Sequence, residues 1–208
     1  MITKVEQYKK EDIKSALMAM HDSAEKAEDC ILSLQTAFIY NKTTPLKGCR
    51  EVIENIKREG VELTKKLTDI VSDNTSIKCY VSVPGHLLII GEHLEKIADL
   101  VEEKIRGNIL FSDKAEKEAM FLLQRLGEVL WTASSLILAR NTFLGMYIEE
   151  AISNLVKMAD EYATLHEERL IEGLCLPVAS SMYVNILEAI KSIAWHIKEI
   201  ARHLTASQ

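Results

Sequence analysis

Two sets of side chains in this sequence have the types and spacing to hold a metal ion. Glu95 and Asp99 stand four residues apart, which on a helix puts both carboxylates on one side. Such a pair can bridge iron, zinc or another divalent cation. Glu92, Glu102 and Glu103 flank it. The second set is His196, Glu199 and His203, at steps of three and four. Imidazole nitrogens with one carboxylate suit zinc, nickel or copper. No neighbouring segment supplies an evident fourth ligand, and the plainer reading is surface histidines beside a salt-bridging glutamate. His86 and His93, seven residues apart on one helix face, read as structural or interfacial residues. Trp195 shares a side with Glu188, Lys191, Lys198 and Arg202. An indole on a polar face is either an anchor for a partner or a ring laid against the other half of the chain.

Helices must position all of these groups. Apolar residues recur at alternating steps of three and four: Ile13, Leu17, Met20, Ala24, Ala27, Ile31, Leu34 and Phe38 make one stripe. Ala115, Ala119, Leu122, Leu126, Val129, Ala133 and Leu136 make another. That is the period of helices packed side by side. On the helix carrying Glu95 the stripe is Ile90, Leu94, Ile97, Val101 and Ile105, and Asp99 falls roughly opposite it. Only eight glycines and three prolines occur in 208 residues, so turns are few and helices long.

Turn signals divide the chain into six helices, near 4–40, 45–73, 84–106, 113–140, 143–172 and 177–204. The breaks are Asn41 to Thr44 before Pro45, the cluster Asp73-Asn74-Thr75-Ser76, Gly107-Asn108, Asn141-Thr142, and Gly173 to Pro177. Asp113 with Glu116 has capping-box spacing. Short connections make neighbours antiparallel. The expected fold is all-α, two tandem antiparallel three-helix bundles over 1–107 and 108–208. Tyr147, Tyr162 and Tyr183 fall on apolar stripes and are expected in the core.

Composition narrows the function. The net charge is −6, and basic residues cluster only as the pairs Lys9-Lys10, Lys57-Arg58 and Lys65-Lys66. Nucleic acid is therefore not an expected partner. No apolar run reaches the ~18 residues of a membrane span, and the N-terminus lacks a signal-peptide core, so the expected location is the cytoplasm. Cys30, Cys49, Cys79 and Cys175 are scattered and read as reduced thiols. No phosphate loop, nucleophile elbow or H-E-x-x-H motif is present, and the chain is not expected to be an enzyme. A carboxylate-bridged metalloenzyme is the weakest alternative, because the E-x-x-H pairs it would use are missing.

The halves look duplicated. Pro177, Leu187, Glu188 and Ile190 match Pro84, Leu94, Glu95 and Ile97 at a constant offset of 93. The run Leu94-Glu95-Lys96-Ile97-Ala98-Asp99 resembles the L-E-R-I-G/A-D signature of PhoU-like proteins. Phe111-Ser112-Asp113 and the stretch from Arg169 to Pro177 are similar to turns of PhoU-like domains fused to sodium–phosphate cotransporters. The resemblance implies a regulator of phosphate transport that contacts a transporter or sensor kinase at the inner membrane face, forms a homodimer, and holds iron, zinc or another divalent ion through E/D-x-x-x-D pairs. Glu95 and Asp99 match that pattern. The second half departs from it, since Glu188 is followed by Ser192, and Glu51 and Glu150 face Asn55 and Asn154. A metal-free interaction module with decayed metal sites is the alternative this departure implies.

Overall fold

The computed structural model describes the backbone of residues 4–71 and 75–206, and side chains within 11–70 and 77–206. Six long helices follow one another: α1 (Lys4–Tyr40), α2 (Thr44–Val71), α3 (Val83–Arg106), α4 (Asp113–Ala139), α5 (Thr142–Ile171) and α6 (Pro177–Thr205). There is no strand among the described residues. A short 3₁₀ segment, Thr75–Tyr80, precedes α3 and was not expected from the sequence. Asp73 and Asn74 of the expected turn, and the side chains of Lys9 and Lys10, lie outside the described residues.

The helices form because their apolar positions repeat with the helical period and their ends are capped. All seven α4 stripe residues are buried. In α1, Met20, Ala24, Ala27, Ile31, Leu34 and Phe38 are buried, while Ile13 and Leu17 are only partly so. Pro84 and Pro177 occupy the first turns of α3 and α6, where a missing N–H costs nothing. Asn141 caps α5 by accepting from the Phe143 N–H. The cap of α4 differs from the expected box: Ser112 accepts from the Ala115 N–H, and Asp113 already lies within the first turn. Asn41, Asn108 and Arg140 turn the chain with left-handed backbone at φ 49, 48 and 47°, a conformation that asparagine tolerates better than most residues.

Helices α1–α3 and α4–α6 each pack as a three-helix bundle, and the bundles meet through two helix pairs, α1 on α4 and α3 on α6. The α1–α4 pair is antiparallel. Gln35 Nε2 donates to the Met120 carbonyl at 3.1 Å, Gly127 lies against Glu28 and Ile31, and His21 Nδ1 meets the Ser134 carbonyl at 3.0 Å. One continuous core results, and each fully buried Leu or Ile in it contributes about 1.5–3 kcal/mol.

Two features correct expectations. Cys30 on α1 and Cys49 on α2 are joined as a disulfide with Cα atoms 4.8 Å apart; they are not two free thiols. Scattering along the chain hid a pair that antiparallel helices bring together. Tyr183 is fully buried and Tyr162 partly so, but Tyr147 is exposed.

A charged cluster is buried in the second bundle. Glu118 on α4 accepts two hydrogen bonds from Arg169 on α5, at 3.1 and 2.7 Å, and one from the Tyr183 hydroxyl on α6 at 2.7 Å. His166 lies on the Tyr183 ring, with centroids 4.3 Å apart. In the first bundle Lys104 is buried, donates to the Asn41 side chain and sits over the Phe38 ring at 4.5 Å. Burial holds its ammonium below the usual lysine range.

Candidate functional site

The candidate residues lie on α3 and α6. The core stripe of α3, Ile90, Leu94, Ile97 and Val101, is buried, which turns Glu95, Asp99 and Glu102 toward α2 and solvent. There they meet bases. Lys57 Nζ donates to Glu95 at 3.0 Å, and Arg50 Nη2 lies 2.7 Å from both Asp99 and Glu102. Arg50 and Lys57 are seven residues apart on α2, so two turns of one helix match two turns of the other. The hydrogen bond to Glu95 holds Lys57 above the usual lysine range. Sequence reasoning sought acids on α2 and passed over these bases, although their spacing was in plain view.

This geometry does not fit the divalent ion that the PhoU-like resemblance implies for Glu95 and Asp99. An ammonium and a guanidinium occupy the cation positions, and the two carboxylates pair with different partners. The second bundle behaves alike. Lys191 lies 2.7 Å from Glu188 on its own helix and 2.9 Å from Asp160 on α5, and these hydrogen bonds, Glu188's first, raise its pKa.

The side of α3 that faces α6 carries histidines. His196 of α6 does not stand alone at the surface: its Nδ1 lies 2.9 Å from Nδ1 of His86 on α3. The ring of His203 is 5.7 Å from that of His86, and the ring of His93 is 6.3 Å from that of His196. Four of the six histidines in the chain therefore meet on the seam between the bundles. The order of contacts makes α3 and α6 antiparallel there. Burial is the first cause lowering the pKa of His86, His93 and His196; neighbouring histidines add to it at His196, which falls to about 4. Glu199, one turn on from His196, pairs with Arg202 at 2.9 Å. Trp195 stands edge-on to His196 at 4.7 Å and reaches His86 at 6.1 Å, while 53% of it remains exposed. It thus lies against the other bundle and still offers a face outward.

Two further features were not singled out from sequence. His21, Asp22 and Glu25 on α1 place ligand atoms within 4.8 Å of one another, all from little more than one helical turn. On the α1–α4–α5 side, a groove of about 1020 Å³ is lined by Leu32, Trp131, Leu144 and Tyr147, with Glu28 and Glu128 among the polar residues. Trp131 is 59% exposed and Leu32 53%, an apolar strip of the kind that marks contact surfaces. Burial first, then Asp29 and Glu25, raises the Glu28 pKa.

The fold and these faces define a tandem three-helix-bundle protein whose chemistry-bearing residues gather on the third helix of each bundle. The same architecture is found in the crystal structure of PhoU from Pseudomonas aeruginosa, with a TM-score of 0.83 over 95% of this chain and 96% of that one, at 15% identity. The chain therefore has the PhoU fold. No protein-family model matches the sequence, and no curated protein matches it. No described helix is long and apolar enough to cross a membrane.

Proposed function

We propose that this chain is a PhoU-like regulator or accessory protein of phosphate transport, acting by protein–protein contact and not by catalysis. The observation that carries the reading is the likeness to PhoU across both bundles. The L-E-x-I-A-D run on α3 and the duplicated plan support it. The partner would be a phosphate transporter or sensor-kinase component at the inner membrane face, reached from the cytoplasm, with a homodimer as the working form. The Trp131 groove supplies the apolar contact surface such a role needs, and the exposed face of Trp195 a second.

At the acidic stripe the metal-free reading is favoured over a bound divalent ion, because Lys57 and Arg50 already neutralise Glu95 and Asp99. The stripe then stiffens the α2–α3 pair and presents a balanced charged face. Deleting the gene in its host and measuring phosphate uptake at high and low external phosphate tests the function. Loss of the difference between the two conditions is expected. Uptake unchanged in both would refute the proposal. Complementation with Trp131→Glu, in a variant shown to melt like the parent, is expected to leave regulation defective.

A further inference from the structure

We infer that the α3–α6 seam is a binding site for one borderline divalent transition-metal ion of the Zn²⁺, Ni²⁺ or Cu²⁺ class. His86 and His196 are the anchoring ligands, His203 turns in as the third nitrogen, and a water completes the set, Glu199 being held by Arg202. This goes beyond the regulatory reading and does not depend on it.

The argument begins with the facing nitrogens. His86 Nδ1 and His196 Nδ1 are 2.9 Å apart. Two such atoms can face each other only if something electron-poor lies between them, either a shared proton or a cation. Two imidazoles on one tetrahedral zinc, at Zn–N distances of about 2.0–2.1 Å, have their nitrogens roughly 3.3 Å apart. A shift of a few tenths of an ångström in two partly exposed rings provides that separation. The pair comes from different helices of different bundles, each packed rigidly through the buried residues beside it: Leu87 and Ile90 on α3, Ile197 and Ile200 on α6. Ligands carried on helices are held more precisely than ligands on loops.

The third nitrogen is placed by helical period. Glu199 and His203 follow His196 at steps of three and four, so all three project to one side of α6. The His203 ring is exposed, with its centroid 5.7 Å from that of His86; its nitrogens are not yet gathered with those of His86 and His196, and a side-chain rotation brings one in when an ion binds. His93 sits on the other flank, one turn pair along α3. The indole of Trp195 stands edge-on against the His196 ring. Three imidazoles with a water match borderline transition ions. They offer too little oxygen for Mg²⁺ or Ca²⁺.

The site differs in kind from the two other groups of candidate ligands. Glu95 and Asp99 are on the α2 side of α3 and hold bases. His21, Asp22 and Glu25 come from one helix alone, and His21 is tied to the Ser134 carbonyl. Only the α3–α6 set joins two elements, so only there would an ion crosslink the bundles.

The test uses the full chain without an affinity tag, stripped with chelator and titrated with ZnCl₂ or NiCl₂ by calorimetry, and with CoCl₂ for its visible ligand-field bands. One ion per chain is expected, with a tetrahedral-type Co²⁺ spectrum. A rise in Tm of roughly 5–10 °C is expected at a hundredfold excess of Zn²⁺ over its Kd. His86→Ala and His196→Ala should each weaken binding at least tenfold and abolish the Tm rise, and His203→Ala should alter the Co²⁺ spectrum. His21→Ala and the double variant Glu95→Gln/Asp99→Asn should bind as the parent does. Where an alanine variant fails to melt cooperatively, His86→Asn and His196→Gln carry the same expectation. Three outcomes overturn the inference: no saturable binding, binding that survives both His86 and His196 changes, or binding lost in the His21 or Glu95/Asp99 variants.

Discussion

Replacing Glu118 with leucine should be among the most damaging single changes outside the apolar core. The carboxylate is 3% exposed and its partner Arg169 is 16% exposed. Glu118→Leu leaves the guanidinium without its counter-ion, a loss of about 3–5 kcal/mol. It also strips the buried Tyr183 hydroxyl of its acceptor, about 1–3 kcal/mol more when counted alone. The two losses overlap because one rearrangement relieves both, so a total of about 4–6 kcal/mol is expected. At about 2–4 °C per kcal/mol for a chain of this size, Tm should fall by roughly 8–24 °C. Arg169→Met is milder, about 3 kcal/mol, because Lys114 lies 3.9 Å from Glu118 and can partly replace the lost charge. The double variant removes both charges, and a buried ion pair exchanged for apolar groups is often nearly neutral. It should recover to within about 2 kcal/mol of the parent. Urea unfolding followed by helical circular dichroism gives all four corners of the cycle. A Glu118→Leu cost under about 1 kcal/mol, or single costs that simply add in the double, would refute the idea that these residues act as one buried unit.

Three further outcomes are expected. Asp99→Ala should cost at most about 1 kcal/mol, because the carboxylate is 63% exposed and its bond to Arg50 is a surface ion pair; urea melts of metal-free protein measure it. Leu94→Ala, at a fully buried position, should cost about 2–5 kcal/mol in the same assay. His166 is held below the usual histidine pKa, first by burial and then by Arg169, with Glu118 opposing. The unfolded chain therefore takes up its proton first: this part of the stability is complete above about pH 6.5 and is lost as pH falls below it. Melts between pH 8 and 5 should show that decline, reduced in His166→Phe.

The helices were legible because their signals are local. The three–four repeat in α4 depends on nothing beyond α4, and all seven residues it marked are buried. Pro84, Asn141 and Pro177 begin helices for reasons contained in their own turns. Pairings between helices were not legible in the same way. Cys30 and Cys49 are separated by a turn, and only the register of α1 on α2 makes them neighbours. The partners of Glu95 and Asp99 sit on α2, and their spacing of seven was a usable signal, had bases been sought as well as acids. The histidine seam needs the relative direction of α3 and α6 across the bundle boundary. Its one sequence trace is that both helices carry histidines seven apart, at 86 and 93 and at 196 and 203.

Why the histidines and the acids of α3 should part company follows from what each face packs against. The α2 face lies within one bundle, where Arg50 and Lys57 compensate the carboxylates, and a dication there would first have to displace two bound monocations. The same replacement recurs in the second bundle, where Lys191 holds Glu188 and Asp160. Lysine or arginine thus neutralises the acids in both halves, from α2 in the first bundle and from α6 itself in the second. The α6 face lies between bundles; there Glu199 pairs with Arg202, while Lys96 and Glu92 of α3 act on His93. Neutral imidazoles can be packed there at small cost, and the hydrogen bond that His86 and His196 share is one a cation can replace. An imidazole set at the seam and a self-neutralised acidic stripe within the bundle are thus two consequences of one arrangement, with α3 shared between them.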